Sequence, residues 1–477
     1  MKLTPGKKKL MIRIGVIVAL EVIILLLMWL ANYPKPVERY YAKSFYPVIC
    51  KILHPVFNIF PFSVGDIFYI LVSGYLLYAL FRLIKLAVKK QFKQAGMFLL
   101  AIVMGVQTGI LVFYLFWGMN YFRPGAGERL NLRDTSYTTA NLIKVTDMLI
   151  DSANATRARV NPTDLRQNND SIYHTAITAV KKLSADSVNF STWYPRVKSS
   201  LLTPLMNYMG TSGYYDPFTG EAQMNSQMPL VNRPFVACHE LSHQVGFATE
   251  DEANFGGFIA GINSRDRLLR YSAYNLAVEE CMYALFFRDS LQFKKLKPRI
   301  SLPVRNDYKA ERLYWQKYES RLNRISGIFY DHFLKHNNQP QGLGTYNRMV
   351  LLVMAKYRPM VERGARADST DEKFDPFFGK FQTDSVFQKS RIVFPLKYKI
   401  SGDEGESGSV NFIPKNKMGY FGLFVANRKK GIIKQIQLNP YTVKIQFQIK
   451  DTGYEKDFTF VKKGGQWQLV FVADDSD

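Results

Sequence analysis

The chain is poor in cysteine. It has three in 477 residues, Cys50, Cys238 and Cys281, far apart. That excludes a disulfide scaffold and a cysteine-based zinc knuckle. Histidine is almost as scarce, with six residues: His54, His174, His239, His243, His332 and His336. Residues 374–477 contain neither His nor Cys, so no catalytic constellation is expected there. Acidic residues are outnumbered, 39 against 63 basic, for a net charge of +24. Even so, no dense basic run or nucleic-acid reader motif is present, and no nucleic-acid partner is expected. No solenoid repeat is found. With 47% hydrophobic and 14% aromatic residues, disorder is excluded. The length exceeds one ordinary core, so two or three domains are expected.

What the chain has in abundance is apolar sequence at its N-terminus. Met11–Ala31, Ile67–Val88 and Met97–Met119 are three apolar runs. Each is long enough to cross a hydrocarbon core of about 30 Å as a helix. The first run ends in Asn32-Tyr33-Pro34-Lys35, without a small-residue cleavage site, so it is expected to be retained. Residues 1–96 carry 14 basic and 3 acidic residues, close to half of the total excess. The N-terminal segment carries Lys2, Lys7, Lys8, Lys9 and Arg13, and the end of the second run and the loop after it carry Arg82, Lys85, Lys89, Lys90 and Lys93. The positive-inside rule puts both segments in the cytoplasm and everything after Trp117 outside. Glu21 is costly at mid-membrane and is expected to be a neutral carboxyl bonded to Gln107 or Thr108. Val37–Phe62, rich in aromatics and proline, reads as an interfacial or re-entrant segment with membrane lipid as its partner.

Helical spacing marks Thr138–Ala155, Asp170–Leu183, Ser191–Met209, Arg233–Gly246, Glu250–Ile262, Tyr271–Phe287, Tyr308–Leu334 and Thr345–Tyr357. Glu221–Met228 alternates and is expected to be an edge strand. Glu362–Lys373 reads as a linker. One helix, about Phe374–Ser385, and strands at Ile392–Ile400, Tyr420–Ala426, Ile432–Gln437, Thr442–Lys450, Phe458–Val461 and Gln466–Val472 follow, with a loop at Ser401–Gly408. The expected organisation is a transmembrane anchor at 1–119, a mainly α zinc domain at 120–361 and an α+β domain at 374–477.

The chemical signal is His239-Glu240-Leu241-Ser242-His243. Residues four apart share a helix face, so two imidazoles aim at one point, as zinc requires. Glu240, beside them, is placed to take a proton from a water that the metal acidifies. Catalytic zinc wants a third protein ligand. Glu250 and Glu252, after a turn at Gly246, can each swing back, and Glu279 or Glu280 is more distant. Asn254, four residues after Glu250, is expected to support the site. Glu221 and Asn225 on the expected edge strand would hold an extended peptide by backbone pairing. Tyr330, His332 and Tyr346 are candidate transition-state donors, though such side chains are more often packed or solvated.

The stretch CHELSHQVGFATEDEANFGGF at 238–258 resembles the signature of an uncharacterised family of bacterial membrane-anchored zincin-like proteins. The resemblance extends to VERYYAKSFYP and PFSVGDIFY within Val37–Tyr69, WGMNYFRP at Trp117–Pro124, PFTGEAQMN at Pro217–Asn225, and Ile328–Leu352. It implies a peptidase-like zinc site. Glu250-x-x-Ala253-Asn254 also resembles the run in gluzincins whose Glu binds zinc, which prefers Glu250 and leaves Glu252 second. This sequence places that Glu unusually close behind His243. Phe374–Leu396 resembles a second envelope domain whose fold is like nuclear transport factor 2 (NTF2). The expected function is a zinc metallopeptidase in the bacterial inner membrane, facing the periplasm and acting on peptides or proteins. The alternative is a non-catalytic envelope scaffold or peptide-binding protein that keeps a zincin-like site.

Overall fold

The computed structural model describes residues 5–132, 136–339, 349–370, 372–401, 409–419, 431–439, 441–449, 452–463 and 465–476. Tyr346, the strand expected at Tyr420–Ala426 and most of the loop expected at Ser401–Gly408 lie outside them. Two compact units form, Met1–Arg358 and Pro359–Asp477, with the apolar helices and the His pair together in the first.

Among the described residues, three helices are long and apolar enough to cross a membrane: Pro5–Ala31, Val64–Val88 and Phe92–Phe116. At 1.5 Å per residue, 25 residues run to about 38 Å, more than a hydrocarbon core needs. The first and third pack together, and Gln107 Nε2 donates to Glu21 Oε2 at 2.8 Å, one of the two partners expected for that carboxyl. The segment after the first helix is helical in spite of its prolines. Pro34–Pro36, Val37–Phe45 and Tyr46–Asn58 follow one another without a break, with the wider i→i+5 turn of a π-helix just before Pro47. One side of the segment, Val37, Tyr41, Tyr46 and Cys50, joins a core with Trp117 and Tyr121; Tyr40, Val48 and Ile52 are exposed.

Beyond the third apolar helix, Thr139–Arg157, Asn169–Asp186, Arg233–Val245, Glu250–Ile262 and Arg267–Arg288 form a helical layer. Ser191–Met209 is not one helix. Pro195 and Pro204 break it, leaving strand β1 (Val197–Ser199) and a short helix, Thr203–Met209. With β2 (Gly213–Asp216) and β3 (Glu221–Met224), β1 makes a small sheet in the order β1-β3-β2. β3 pairs in parallel with β1 and antiparallel with β2, so the expected edge strand is the central one. Tyr308–Leu334 divides into Leu302–Lys317 and Arg321–His336.

The segment expected as a linker continues a helix, Met349–Thr370. Its Glu, Arg and Ala residues are good helix formers, which outweighs its polarity. In the second unit, Phe374–Thr383 and Ser385–Ser390 precede six strands: β4 (Ile392–Ile400), β5 (Ser409–Ile413), β6 (Gly431–Asn439), β7 (Thr442–Ile449), β8 (Tyr454–Lys463) and β9 (Gln466–Asp474). Their order is β5-β4-β9-β8-β7-β6, with β4 and β9 parallel and the other pairs antiparallel. Phe377 and Phe381 from the first helix pack on Phe460 of the sheet.

Candidate metal centre

The helix Arg233–Val245 carries the His pair. It ends where Gly246 takes φ +99°, a conformation that suits glycine. Gly246 N–H bonds His243 O at 2.9 Å and Phe247 N–H bonds Ser242 O at 3.1 Å, the paired closure of a helix C-terminus. That turn brings the Phe247 carbonyl back to within 2.7 Å of His243 Nδ1. The helix Glu250–Ile262 then packs against the first. A Cβ on Gly256 would lie 2.5 Å from Ser242 Oγ, and one on Gly257 3.1 Å from the backbone N of His239. These two glycines set how closely the helices approach.

That approach delivers Glu250 and Asn254. Asn254 Oδ1 lies 2.7 Å from His239 Nδ1. Both imidazoles therefore give their Nδ1–H to an oxygen and turn Nε2 inward. The two Nε2 atoms are 3.1 Å apart, and Glu250 Oε2 and Oε1 lie 3.2 and 3.8 Å from those of His239 and His243. Three acceptors thus converge on one point. Their lone pairs repel unless a proton or a metal ion stands between them. With bonds of about 2.0–2.1 Å, a tetrahedral zinc site has ligand atoms roughly 3.3 Å apart. The observed separations bracket that value, so His239, His243 and Glu250 fit zinc.

Glu240 is buried, and its Oε2 has no hydrogen-bond partner among the described residues. Burial pushes its carboxyl up to about 7, while the neighbouring His239 and His243 pull the other way. Burial disfavours a charged His243, yet hydrogen bonding and attraction from Glu250 carry its pKa up to about 9. Burial likewise opposes ionised Glu250, but hydrogen bonds from the two imidazoles hold it well below the usual carboxylate range. Gly213 of β2 passes over Glu240, where a Cβ would meet Oε1 at 2.5 Å.

The other candidates go elsewhere. Glu252 pairs with Arg129 and accepts Ala126 N–H at 2.6 Å, so it is not a third ligand: two positions on from Glu250, it leaves the helix on another face. Glu221 is fully internal. It pairs with Lys198 and accepts the N–H groups of Val64 and Gly65 at 3.3 and 2.6 Å, capping the second apolar helix. Asn225 is buried against Asn207, at 2.7 Å, and Thr211 O, at 3.2 Å. Neither can hold a substrate. Tyr330 gives its hydroxyl to Glu250 Oε1. His332, two residues on, is exposed. Glu279 lines a different cavity, of about 430 Å³, with Glu311 and Trp315.

Three residues escaped the reading of the sequence as site residues. The last carbonyls of the motif helix and its closing turn are met by Trp117 Nε1, 3.0 Å from His243 O, Tyr46 Oη, 2.8 Å from Gln244 O, and Arg123 Nη1, 3.0 Å from Gly246 O. Arg123 is itself held by Glu38 at 2.6 Å. Tyr46 and Arg123 fall in the aromatic stretches that flank the apolar runs and Trp117 at the end of the third, and that was their signal.

A family profile described as "Protein of unknown function (DUF3810)" matches residues 41–354. No curated protein matches the chain. Among solved structures, an NTF2-like protein from Bacteroides fragilis is 23% identical, with a TM-score of 0.18; the match covers 22% of this chain and 48% of that one, about half its length. A cystatin-like protein from Bacteroides caccae is 20% identical, with the same TM-score, over 22% of this chain and 76% of that one.

Proposed function

The chain belongs to the DUF3810 family of unknown function, and from that premise we propose that it is a membrane-anchored zinc metallopeptidase acting on peptides or proteins of the cell envelope. The observation that carries the reading is the convergence of His239 Nε2, His243 Nε2 and Glu250 on one point, with both Nδ1 protons already committed to oxygens. His239, His243 and Glu250 hold the metal, and Asn254 and the Phe247 carbonyl fix the imidazoles. When bound, zinc supplies Lewis acidity toward a water and a carbonyl group. The unpartnered Oε2 of Glu240 accepts the proton of the attacking water and returns it to the leaving nitrogen. Among the described residues β2 is an edge strand of its sheet and runs beside Glu240, so it replaces β3 as the strand that pairs with an extended peptide.

The basic residues at the start of the first apolar helix and around the connection between the second and third support a cytoplasmic N-terminus and a periplasmic site at the inner membrane. The order of helices and then sheet in Pro359–Asp477, with the likeness of Phe374–Leu396, supports an NTF2-like module there. One observation favours the non-catalytic scaffold: His239, Glu240, His243 and Glu250 are all buried, as in closed structural zinc sites. An unpaired carboxylate oxygen beside the ligands favours catalysis, because a structural site has no use for it.

The test uses the full-length protein in nanodiscs. Zinc content is measured, and a broad peptide library is exposed to wild type and Glu240→Gln. One zinc per chain, with cleavage lost only in the variant, is the expected result. Stoichiometric zinc without cleavage by either protein overturns the peptidase in favour of the scaffold.

A further inference from the structure

A cavity of about 620 Å³ opens between the first and third apolar helices and beneath the helix Arg321–His336. Its walls are Ile24, Met28, Ile110 and Phe113. Its floor is the Glu21–Gln107 pair, bonded at 2.8 Å. From Glu21 to Met28 is seven residues, so the apolar part is roughly 10 Å deep. Its roof is Phe333, whose ring meets that of Phe113 edge to face at 6.0 Å.

The roof is one helical turn from the metal centre along two independent routes. Four residues after Phe113 comes Trp117, whose indole N–H bonds His243 O at 3.0 Å. Three residues before Phe333 comes Tyr330, whose ring stacks on Phe333 and whose hydroxyl bonds Glu250. The roof helix also exposes Leu322, Ile325 and Phe329, an apolar stripe with helical spacing. A helix of that kind lies at a membrane surface with its apolar side in lipid.

We propose that this groove takes the hydrocarbon chain of a lipid-anchored polypeptide and so brings the polypeptide to the metal centre. The inference rests on the peptidase reading for what happens next, though not for the binding itself. The groove's apolar walls, roughly 10 Å deep above a polar floor, suit an alkyl chain that enters lengthwise. The chain lies against Ile24 and Ile110 and stops at the polar floor. The roof is the part of the groove that neighbours the metal centre, so a chain that stops at the floor leaves its polar end beside Tyr330 and Trp117.

Gly109 provides the test. It lines the groove, and a Cβ there would meet nothing within 4 Å, so a larger side chain fills the cavity without disturbing the packing. Gly105, one turn deeper, has the same free space and does not line the groove. Full-length wild type, Gly109→Leu and Gly105→Leu are placed in nanodiscs of phosphatidylethanolamine and phosphatidylglycerol. Two peptides of identical sequence, one palmitoylated with a photoreactive chain, are measured for binding and crosslinking. The acylated peptide is expected to bind at least tenfold more tightly, to crosslink to Ile24, Ile110 or Phe113, and to lose that advantage in Gly109→Leu alone. Crosslinking that persists without any cleavage sinks the peptidase and supports the groove. Equal affinity for the two peptides overturns the proposal, as does an unchanged Gly109→Leu. So does a photoreactive phospholipid that labels the groove and is not displaced by the acylated peptide.

Discussion

Trp117, at the end of the third apolar helix, donates its indole N–H to the backbone carbonyl of His243 at 3.0 Å. The same histidine points its Nε2 at the candidate metal centre, so the third apolar helix and a candidate ligand share one short connection. Trp117→Phe keeps the packing and removes one donor, leaving the buried His243 carbonyl with the Gly246 N–H alone. A loss of about 0.5–1.5 kcal/mol is expected, read as a lower melting temperature in detergent. An unchanged melting temperature would show that water replaces the indole.

Gly246 supports His243 from the other side. A Cβ there meets Arg123 Nη1 at 2.8 Å and Asn120 Oδ1 at 3.0 Å, and φ is +99°. Gly246→Ala should cost more than about 1 kcal/mol and shift the Phe247 carbonyl from His243 Nδ1. Zinc affinity and stability should fall together; a stable variant with full affinity contradicts the account.

Asn254 fixes His239 through a 2.7 Å contact. Asn254→Ala should weaken zinc binding by about 10–100-fold, the range for removing a partner of a metal-bound histidine. Asn254→Asp keeps an acceptor oxygen and should restore it. Chelator competition separates the two variants.

Metal removal leaves a proton in its place. Without metal, His243 stays protonated to about pH 9, because Glu250 outweighs the cost of burial. Zinc must displace that proton. At pH 8, binding should release the His243 proton in addition to any from a zinc-bound water, measurable by calorimetry in two buffers of different ionisation enthalpy, and release should drop by about one proton above pH 10. No release at pH 8 would remove His243 from the ligand set.

Glu240 makes the metal-free protein sensitive to pH. Its carboxyl holds a proton to about pH 7 when folded, against 4.5 ordinarily. Between those values the folded state binds more protons, so stability falls as pH rises, with the whole loss present above pH 7. Metal-free Glu240→Gln should match wild type at pH 4 and exceed it at pH 8 by up to about 3 kcal/mol. Denaturant titration at the two pH values decides this; a difference independent of pH rejects the burial argument.

Much of the centre was legible because it is local. His239 and His243 are one turn apart on one helix, Glu250 and Asn254 one turn apart on the next, and spacing alone says which share a face. Choosing between Glu250 and Glu252 was not local. It depends on Arg129, which takes Glu252 from 123 positions away. β3 reads as an edge strand until β1 is placed beside it, and β1 is three residues between proline breaks with little signal of its own. Glu221 looked free for substrate because its partners, Lys198 and the start of the second apolar helix, come together only on folding.

By itself, then, the sequence determined three long apolar helices, a paired-histidine helix, a turn at Gly246 and a β-rich C-terminal region, all of which follow from composition and short-range periodicity. Tertiary structure decided which carboxylate faces the histidines, which strand has a free edge, and that Trp117, Tyr46 and Arg123 close the motif helix. The reason is physical: backbone and periodicity act over a few residues, whereas a buried carboxylate or carbonyl takes whichever donor the packed fold brings to it.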